Sequence, residues 1–228
     1  LLGFELPWSV EEINAACDEV VKANGLTDAY VRPVAWRGSE NMGVSPKNTK
    51  PHVAIAAWNW GKYFAPEIAE KGLRLDIAPW RRPAPYTAPV HSKAAGLYMI
   101  ASLSKKHADE RGYDDALMFD WRGQVAEATG ANAFFIRDGR LYTPTPDCFL
   151  NGITRQTVID LAKRRGIEVE ERAIWPEELE SFEQMFITGS AAEVTFIRSA
   201  GPWNFEIGDM SRQLARDYDD LVNRRLNY

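Results

Sequence analysis

Phe134-Phe135-Ile136-Arg137-Asp138-Gly139-Arg140-Leu141-Tyr142-Thr143 reads as two short strands joined by an Asp-Gly turn. That pair suits a two-residue hairpin, whose central positions both need positive φ. Just upstream, Leu117 to Trp121 and Gln124 to Glu127 flank Arg122-Gly123 in the same way. Strands joined by tight hairpins are antiparallel, whereas parallel neighbours need long crossovers. Hairpins interspersed with helices therefore predict an α/β or α+β chain with mixed sheets, not a doubly wound parallel fold.

Working outward, Ser9-Val10-Glu11-Glu12 has the form of a capping box, and apolar residues recur at Ile13, Ala16, Cys17, Val20 and Val21 before Gly25. This predicts an amphipathic helix over 10–24. Ala29 to Trp36 and Val53 to Trp58 read as strands around a polar loop from Asn41 to Pro51. Asn59 to Pro66 mixes Gly, Pro and aromatic residues without a period and reads as a connection between domains. Beyond it, a strand is predicted over Leu73–Ala78, a Pro-rich loop over Pro79–Pro89 and a long helical stretch over Lys93–Arg111 ending at Gly112. Thr154 is expected to cap a helix that ends at Gly166, followed by a strand over Ile167–Arg172 and a short helix over Pro176–Ser181. A strand over Glu193–Ile197 and a last helix over Met210–Arg224 complete the reading.

The composition narrows the class. With 45% hydrophobic and 26% charged residues in 228, the chain has the makings of a globular core. A net charge of −5 argues against nucleic acid or an anionic membrane as the main partner. No apolar run reaches the length of a membrane span. Leu1-Leu2-Gly3-Phe4 lacks the basic start of a signal peptide, and the missing initiator Met suggests that Leu1 is not the native start. Two cysteines, Cys17 and Cys148, suit a reducing compartment, so a cytoplasmic location is expected. No spacing of His52, His91 and His107 suits a metal, and none is expected.

Several residues carry possible chemistry. Lys93, followed by Ala94-Ala95-Gly96, is expected to be desolvated, which would favour the neutral, nucleophilic amine. Taken alone it reads rather as an ordinary exposed lysine in a helix first turn. Glu127, in Glu127-Ala128-Thr129-Gly130-Ala131-Asn132, can keep a pyridine nitrogen protonated, or can be a strand-end glutamate paired with any basic residue. Gly152-Ile153-Thr154 opens a helix whose first N–H groups suit a phosphate, and Thr154 is otherwise a plain cap. Thr188-Gly189-Ser190-Ala191-Ala192 is a second turn of small residues with hydroxyls. Tyr30 and Arg32 share one side of a strand and can grip a carboxylate together.

These segments, in this order, resemble the class IV aminotransferases, the fold-type IV pyridoxal-phosphate enzymes, and among them the branched-chain amino acid aminotransferases. The resemblance runs from the helix at Ser9 to the Thr188–Val194 turn. It implies a two-domain fold-type IV architecture, with residues 1–58 the remainder of a small N-terminal domain, 59–70 an interdomain loop and 71–228 the cofactor-binding domain. The family begins with further strands that carry an arginine for the cofactor phosphate, and no residue from Leu1 onward matches it.

By resemblance, Lys93 matches the lysine that forms the Schiff base with pyridoxal 5′-phosphate, and Tyr98 the tyrosine at the cofactor's phenolate oxygen. Glu127 matches the partner of the pyridine nitrogen, and Ile153, Thr154 and Ser190 match the phosphate-binding positions. Ala191, with Tyr30 and Ser190, matches the clamp on the substrate α-carboxylate, and Arg32 the arginine that receives a glutamate side chain. Tyr63 resembles the interdomain-loop tyrosine that assists it. Val44, in Met42-Gly43-Val44, resembles the residue that helps form the side-chain pocket in a dimer, a pocket that Trp60 also lines. The expected activity moves the amino group of leucine, isoleucine or valine to 2-oxoglutarate in a homodimer or larger homo-oligomer. D-amino acid aminotransferase, (R)-amine transaminase and aminodeoxychorismate lyase share the fold, and a cofactor-free scaffold is the reading of a different class. Tyr30-Val31-Arg32 and Met42-Gly43-Val44 favour the branched-chain enzyme.

Overall fold

The computed structural model describes residues 1–225, which fall into two compact units that meet in sequence at Tyr63 and Phe64. In the first unit, helix α1 (Val10–Ala23) starts at the capping box: Ser9 Oγ accepts from Glu12 N–H at 3.1 Å, and Glu12 Oε2 accepts from Ser9 N–H at 2.7 Å. Gly25, at φ 65°, takes the left-handed conformation just beyond its end. Strands β1 (Tyr30–Arg37) and β2 (Pro51–Trp58) pair antiparallel from Tyr30↔Trp58 to Arg37↔Pro51, with the 38–50 loop between them.

The second unit is built around a closed sheet. Strands β3 (Leu73–Ile77), β4 (Asp115–Phe119), β5 (Val125–Ala128), β6 (Asn132–Arg137), β9 (Gln184–Gly189) and β10 (Glu193–Ala200) each pair with the next, and β10 returns to β3. The ring is mixed, because β10–β3 and β3–β4 are parallel and the other pairs antiparallel. Closure removes free edges and gives each stave an inner and an outer face. Leu75, Leu117, Ala133, Phe135, Ile187 and Ile197 belong to the large inner core cluster. Outside, β7 (Arg140–Pro144) and β8 (Val169–Arg172) extend the sheet from β6, and β11 (Trp203–Asn204) pairs with β10.

Asp138 and Gly139, at φ 51° and 72°, form the hairpin turn between β6 and β7 that the Asp-Gly pair predicts. Helix α3 (Tyr98–Glu110) lays Ala101 and Ala108 on Ala116 and Met118 of β4, where small side chains allow close approach. Helices α4 (Ile153–Arg164) and α5 (Asp209–Val222) cover Phe134, Ile136 and Phe186 on the outer face.

Several expectations need correction. The stretch from Lys93 is not helical throughout: a 3₁₀ turn starts at Ala95 and α3 at Tyr98, leaving Lys93 and Ala94 in irregular backbone. Thr154 does not cap α4. Gly152 is the N-cap and Thr154 the second helical residue. The strand expected from Ile167 begins at Val169, and 176–181 forms a 3₁₀ helix. Helix α2 (Pro66–Lys71) and strands β9 and β11 were not foreseen. Strand β9 escapes a pattern reading because Met185 and Ile187 face the inner core while Phe186 packs outside, so apolar and polar residues do not alternate.

Phe134 and Phe186 are both fully buried and stack with ring centroids 5.0 Å apart. Phe186→Ala is expected to destabilise the second unit by about 3–5 kcal/mol, read as a lower denaturant midpoint than that of the wild type.

Candidate active site

Partners across an antiparallel ladder project from the same face of the sheet, so register identifies neighbours. Glu127 pairs with Asn132, and Asn132 with Thr188 on its other side. The three side chains form a row on the outer face of β5, β6 and β9, and all are buried. A buried carboxylate is costly unless charge and hydrogen bonds compensate it. Here Arg82, from the loop after β3, donates through Nη2 to Glu127 Oε1. Asn132 Nδ2 donates to Glu127 Oε2 at 3.0 Å. Burial pushes the Glu127 carboxyl up to about 7, and the guanidinium of Arg82 only partly opposes that rise.

Arg82 also reaches the start of α3, where Nη1 donates to Leu97 O at 3.4 Å. Tyr98 is the first residue of that helix and lies partly exposed beside Leu97 in sequence. Lys93 is exposed, contrary to the desolvation expected from its small neighbours. Ala95 and Gly96 are exposed themselves and carry too little side chain to cover it.

The start of α4 meets the row at Asn132. Its first N–H groups have no acceptor within the helix, and no acidic residue stands in its first turn. That is an electropositive start suited to an anion. Gly152 N–H donates to Asn132 Oδ1 at 3.2 Å, and a Cβ on Gly152 would lie 2.4 Å from that oxygen. Thr154 is buried and Ile153 exposed. Arg155, 1% exposed, fixes this end of the helix: it donates to Asn151 Oδ1, Thr143 Oγ1, Pro144 O and Glu171 Oε2 at 2.7–3.3 Å. Ser190 and Ala191 lie in the turn from β9 to β10. A Cβ on Gly189, just before them, would lie 3.4 Å from Gly130 O, so two small-residue turns run close together there. Among the described residues, Thr188 Oγ1 and Arg82 Nε are buried without a hydrogen-bond partner. Buried polar atoms left in this way point to a group that arrives with a ligand. The Glu127 carboxylate is an acceptor for a basic atom and the start of α4 a set of donors for an anion, and Asn132 links the two.

In the first unit, Tyr30, Arg32, Trp60 and Tyr63 gather with Trp58. The Arg32 guanidinium carbon lies 5.2, 5.5 and 5.9 Å from the ring centroids of Tyr30, Trp58 and Trp60, and Nη2 donates to Tyr30 Oη at 3.5 Å. Trp60 packs edge-on against Tyr30 at 4.5 Å and Tyr63 at 5.6 Å. Val44 stands fully exposed on the 38–50 loop. This is an aromatic wall carrying one guanidinium.

Sequence reasoning assigned no role to Arg82, Asn132, Arg155 or Thr188. One signal was present: Arg155 falls on the same helical stripe as Val158, Ile159 and Ala162, where a charge is out of place unless it is paired. Among the described residues, Asp120, Asp147 and Cys148 also bring three potential metal-ligand atoms within 4.8 Å of one another. Arg122 already bridges the two carboxylates, at 2.6 and 2.7 Å.

The family model for amino-transferase class IV matches residues 1–200. A probable branched-chain-amino-acid aminotransferase of Rickettsia felis is 41% identical over 225 residues, covering 97% of this chain and 76% of its own length. The branched-chain aminotransferase of Thermoproteus uzoniensis, solved with norvaline, superposes with a TM-score of 0.91 at 36% identity, over 97% of this chain and 74% of that one. The branched-chain amino acid aminotransferase of Thermobaculum terrenum, solved in its PLP-bound holo-form, gives 0.89 at 30% identity, over 98% of this chain and 74% of that one. A family model matched over residues 1–200, together with relatives above 30% identity along nearly the whole chain, makes this chain a member of the amino-transferase class IV family.

Proposed function

We propose that the protein transfers the amino group of branched-chain L-amino acids (leucine, isoleucine and valine) to 2-oxoglutarate, using pyridoxal 5′-phosphate attached through Lys93. The observation that carries this reading is the Glu127 carboxylate, held by Arg82 and Asn132 beside the free start of α4. The residues fit the cofactor: a carboxylate for the ring nitrogen, unsatisfied N–H groups for the phosphate, and an orphaned Thr188 hydroxyl between small-residue turns. The named relatives support the cofactor and the branched-chain substrate class.

When bound, pyridoxal phosphate supplies an aldehyde carbon that exchanges amines and a ring that accepts electrons from the substrate Cα. In this proposal Lys93 would act as the general base and acid that moves the proton from the substrate Cα to C4′. Glu127 keeps a proton on the ring nitrogen, and the charge of that pair stabilises the carboxylate that burial disfavours. Tyr98 donates to the phenolate oxygen. Ile153 and Thr154, at the start of α4, and Ser190 hold the phosphate. Ser190 and Ala191 bind the α-carboxylate, a role proposed for Tyr30 as well. In the first unit Arg32, assisted by Tyr63, binds the distal carboxylate of glutamate, and Val44 and Trp60 offer apolar surface to an aliphatic side chain. Residues 1–58 form the smaller domain, 59–70 the connection and 71–228 the cofactor domain. The proposal includes a homodimer or larger homo-oligomer in the cytoplasm, with amino acids and 2-oxo acids as its small-molecule partners. No helix among the described residues is long and apolar enough to cross a membrane.

Lys93→Ala is expected to lose the yellow absorbance that the wild type acquires with pyridoxal phosphate, and to slow transamination by about 10²–10⁴-fold. An unchanged spectrum rules out Lys93 as the attachment point. Half-reactions with L-leucine, D-alanine, (R)-1-phenylethylamine and aminodeoxychorismate separate the activities that share the fold, and L-leucine should react fastest. Arg32→Ala should raise KM for 2-oxoglutarate by about 10–100-fold, the worth of a hydrogen-bonded charge, while leaving that for leucine nearly unchanged. A parallel rise for both substrates would contradict the role given to Arg32.

The raised pKa of Glu127 has a consequence for stability. A carboxyl raised from its ordinary 4.5 to about 7 contributes stability at low pH that is lost as pH climbs from 4.5 through 7. Thermal melts of the cofactor-free protein should therefore fall across that window, and Glu127→Gln should flatten the fall. Equal slopes would show that Glu127 does not titrate there.

A further inference from the structure

Asn132 touches both halves of the row with a single planar group. Its Nδ2 donates to Glu127 Oε2 at 3.0 Å and to Leu150 O at 2.9 Å, and its Oδ1 accepts from Gly152 N–H at 3.2 Å. Only this orientation of the amide places its donors toward both acceptors and its oxygen toward the N–H group. The side chain is 5% exposed, and its backbone belongs to β6, paired with Glu127 on one side and Thr188 on the other. Gly152 approaches so closely that any side chain there would displace the contact. The carboxylate at one end and the peptide entering α4 at the other are therefore held by one rigid clamp.

The geometry points to Asn132 as a positioning residue that sets the spacing between the carboxylate for the ring nitrogen and the helix start for the phosphate. It rests on the cofactor reading above and adds to it a residue assigned to neither end of the ligand. A ligand with two joined ends gains affinity because binding one end presents the other at high effective concentration, provided the two half-sites match its length. Separate fragments gain nothing from that match. The spacing clamp thus has a signature that general loosening of the site lacks: the intact ligand should suffer more than its parts.

The experiment is calorimetric titration of the protein with pyridoxal 5′-phosphate, pyridoxal and inorganic phosphate, for the wild type and Asn132→Ala. The expected result is a loss of at least about tenfold for pyridoxal 5′-phosphate, against less than about twofold for pyridoxal and for phosphate. Should circular dichroism show Asn132→Ala unfolded, Asn132→Asp carries the test. It keeps an oxygen for Gly152 N–H but loses the donor to Glu127, and the same excess loss is expected. The proposal is overturned if the loss for the intact cofactor is no larger than the product of the losses for the two fragments, or if Asn132→Asp binds like the wild type. A wild-type protein that binds none of the three overturns the cofactor reading and the clamp with it. One that binds all three, with proportionate losses in the variant, overturns the clamp alone.

Discussion

A carboxylate with almost no solvent is the constraint around which the second unit is arranged. Glu127 faces outward from a closed sheet, yet it is buried, and its charged form needs support from every side. Arg82 arrives from the loop after β3, Asn132 from β6, and each is tied in turn to a further element: Leu97 at the start of α3, and Gly152 at the start of α4. Removing one partner of such a buried set leaves the other uncompensated, which costs more than the pair itself contributes. The start of two helices and the face of the sheet are thereby referred to one another through a single charge.

The closed sheet makes this arrangement stiff. Strand β6 pairs with β9 along one edge, and with β5 and then β7 along the other. Its alternate residues serve different cores, Ala133 and Phe135 inside the ring and Phe134 and Ile136 beneath α4 and α5. Asn132 opens this strand, so its amide inherits the rigidity of a strand packed on both faces. Arg155 does the corresponding work for α4, fastening its first turn to β7 and β8 through three hydrogen bonds and to Asn151 through a fourth. Chemical groups held in place by such supports need little reorganisation when a ligand arrives.

Local signals in the chain carried much of this. The capping box at Ser9 and the Asp138-Gly139 turn are legible because their physics spans only a few residues. Two-sided burial hid β9, since a strand covered on both faces shows no alternation. The start of α4 misled for another reason: a Thr near a helix start reads as a cap, while the backbone turn at Gly152 had already begun the helix. Glu127 stood out beside its small neighbours, but its partner Arg82 lies 45 positions away, and no window of sequence joins them. The surroundings of Lys93 were misjudged because small residues suggest a close-packed environment, whereas here they leave the lysine open.

The ring is completed where Ile197 of β10 lies beside Leu73 of β3, a pairing between chain segments far apart in synthesis order. Such non-local parallel contacts form late, because the loop they close must lose its entropy first. Thr188 and the turn that follows it lie within that last hairpin. A ribosome-bound chain that has emerged only through α4 would carry Glu127, Asn132 and Gly152 without the strand that completes their row. Until β9 has docked on β6, the row of Glu127, Asn132 and Thr188 stays one strand short.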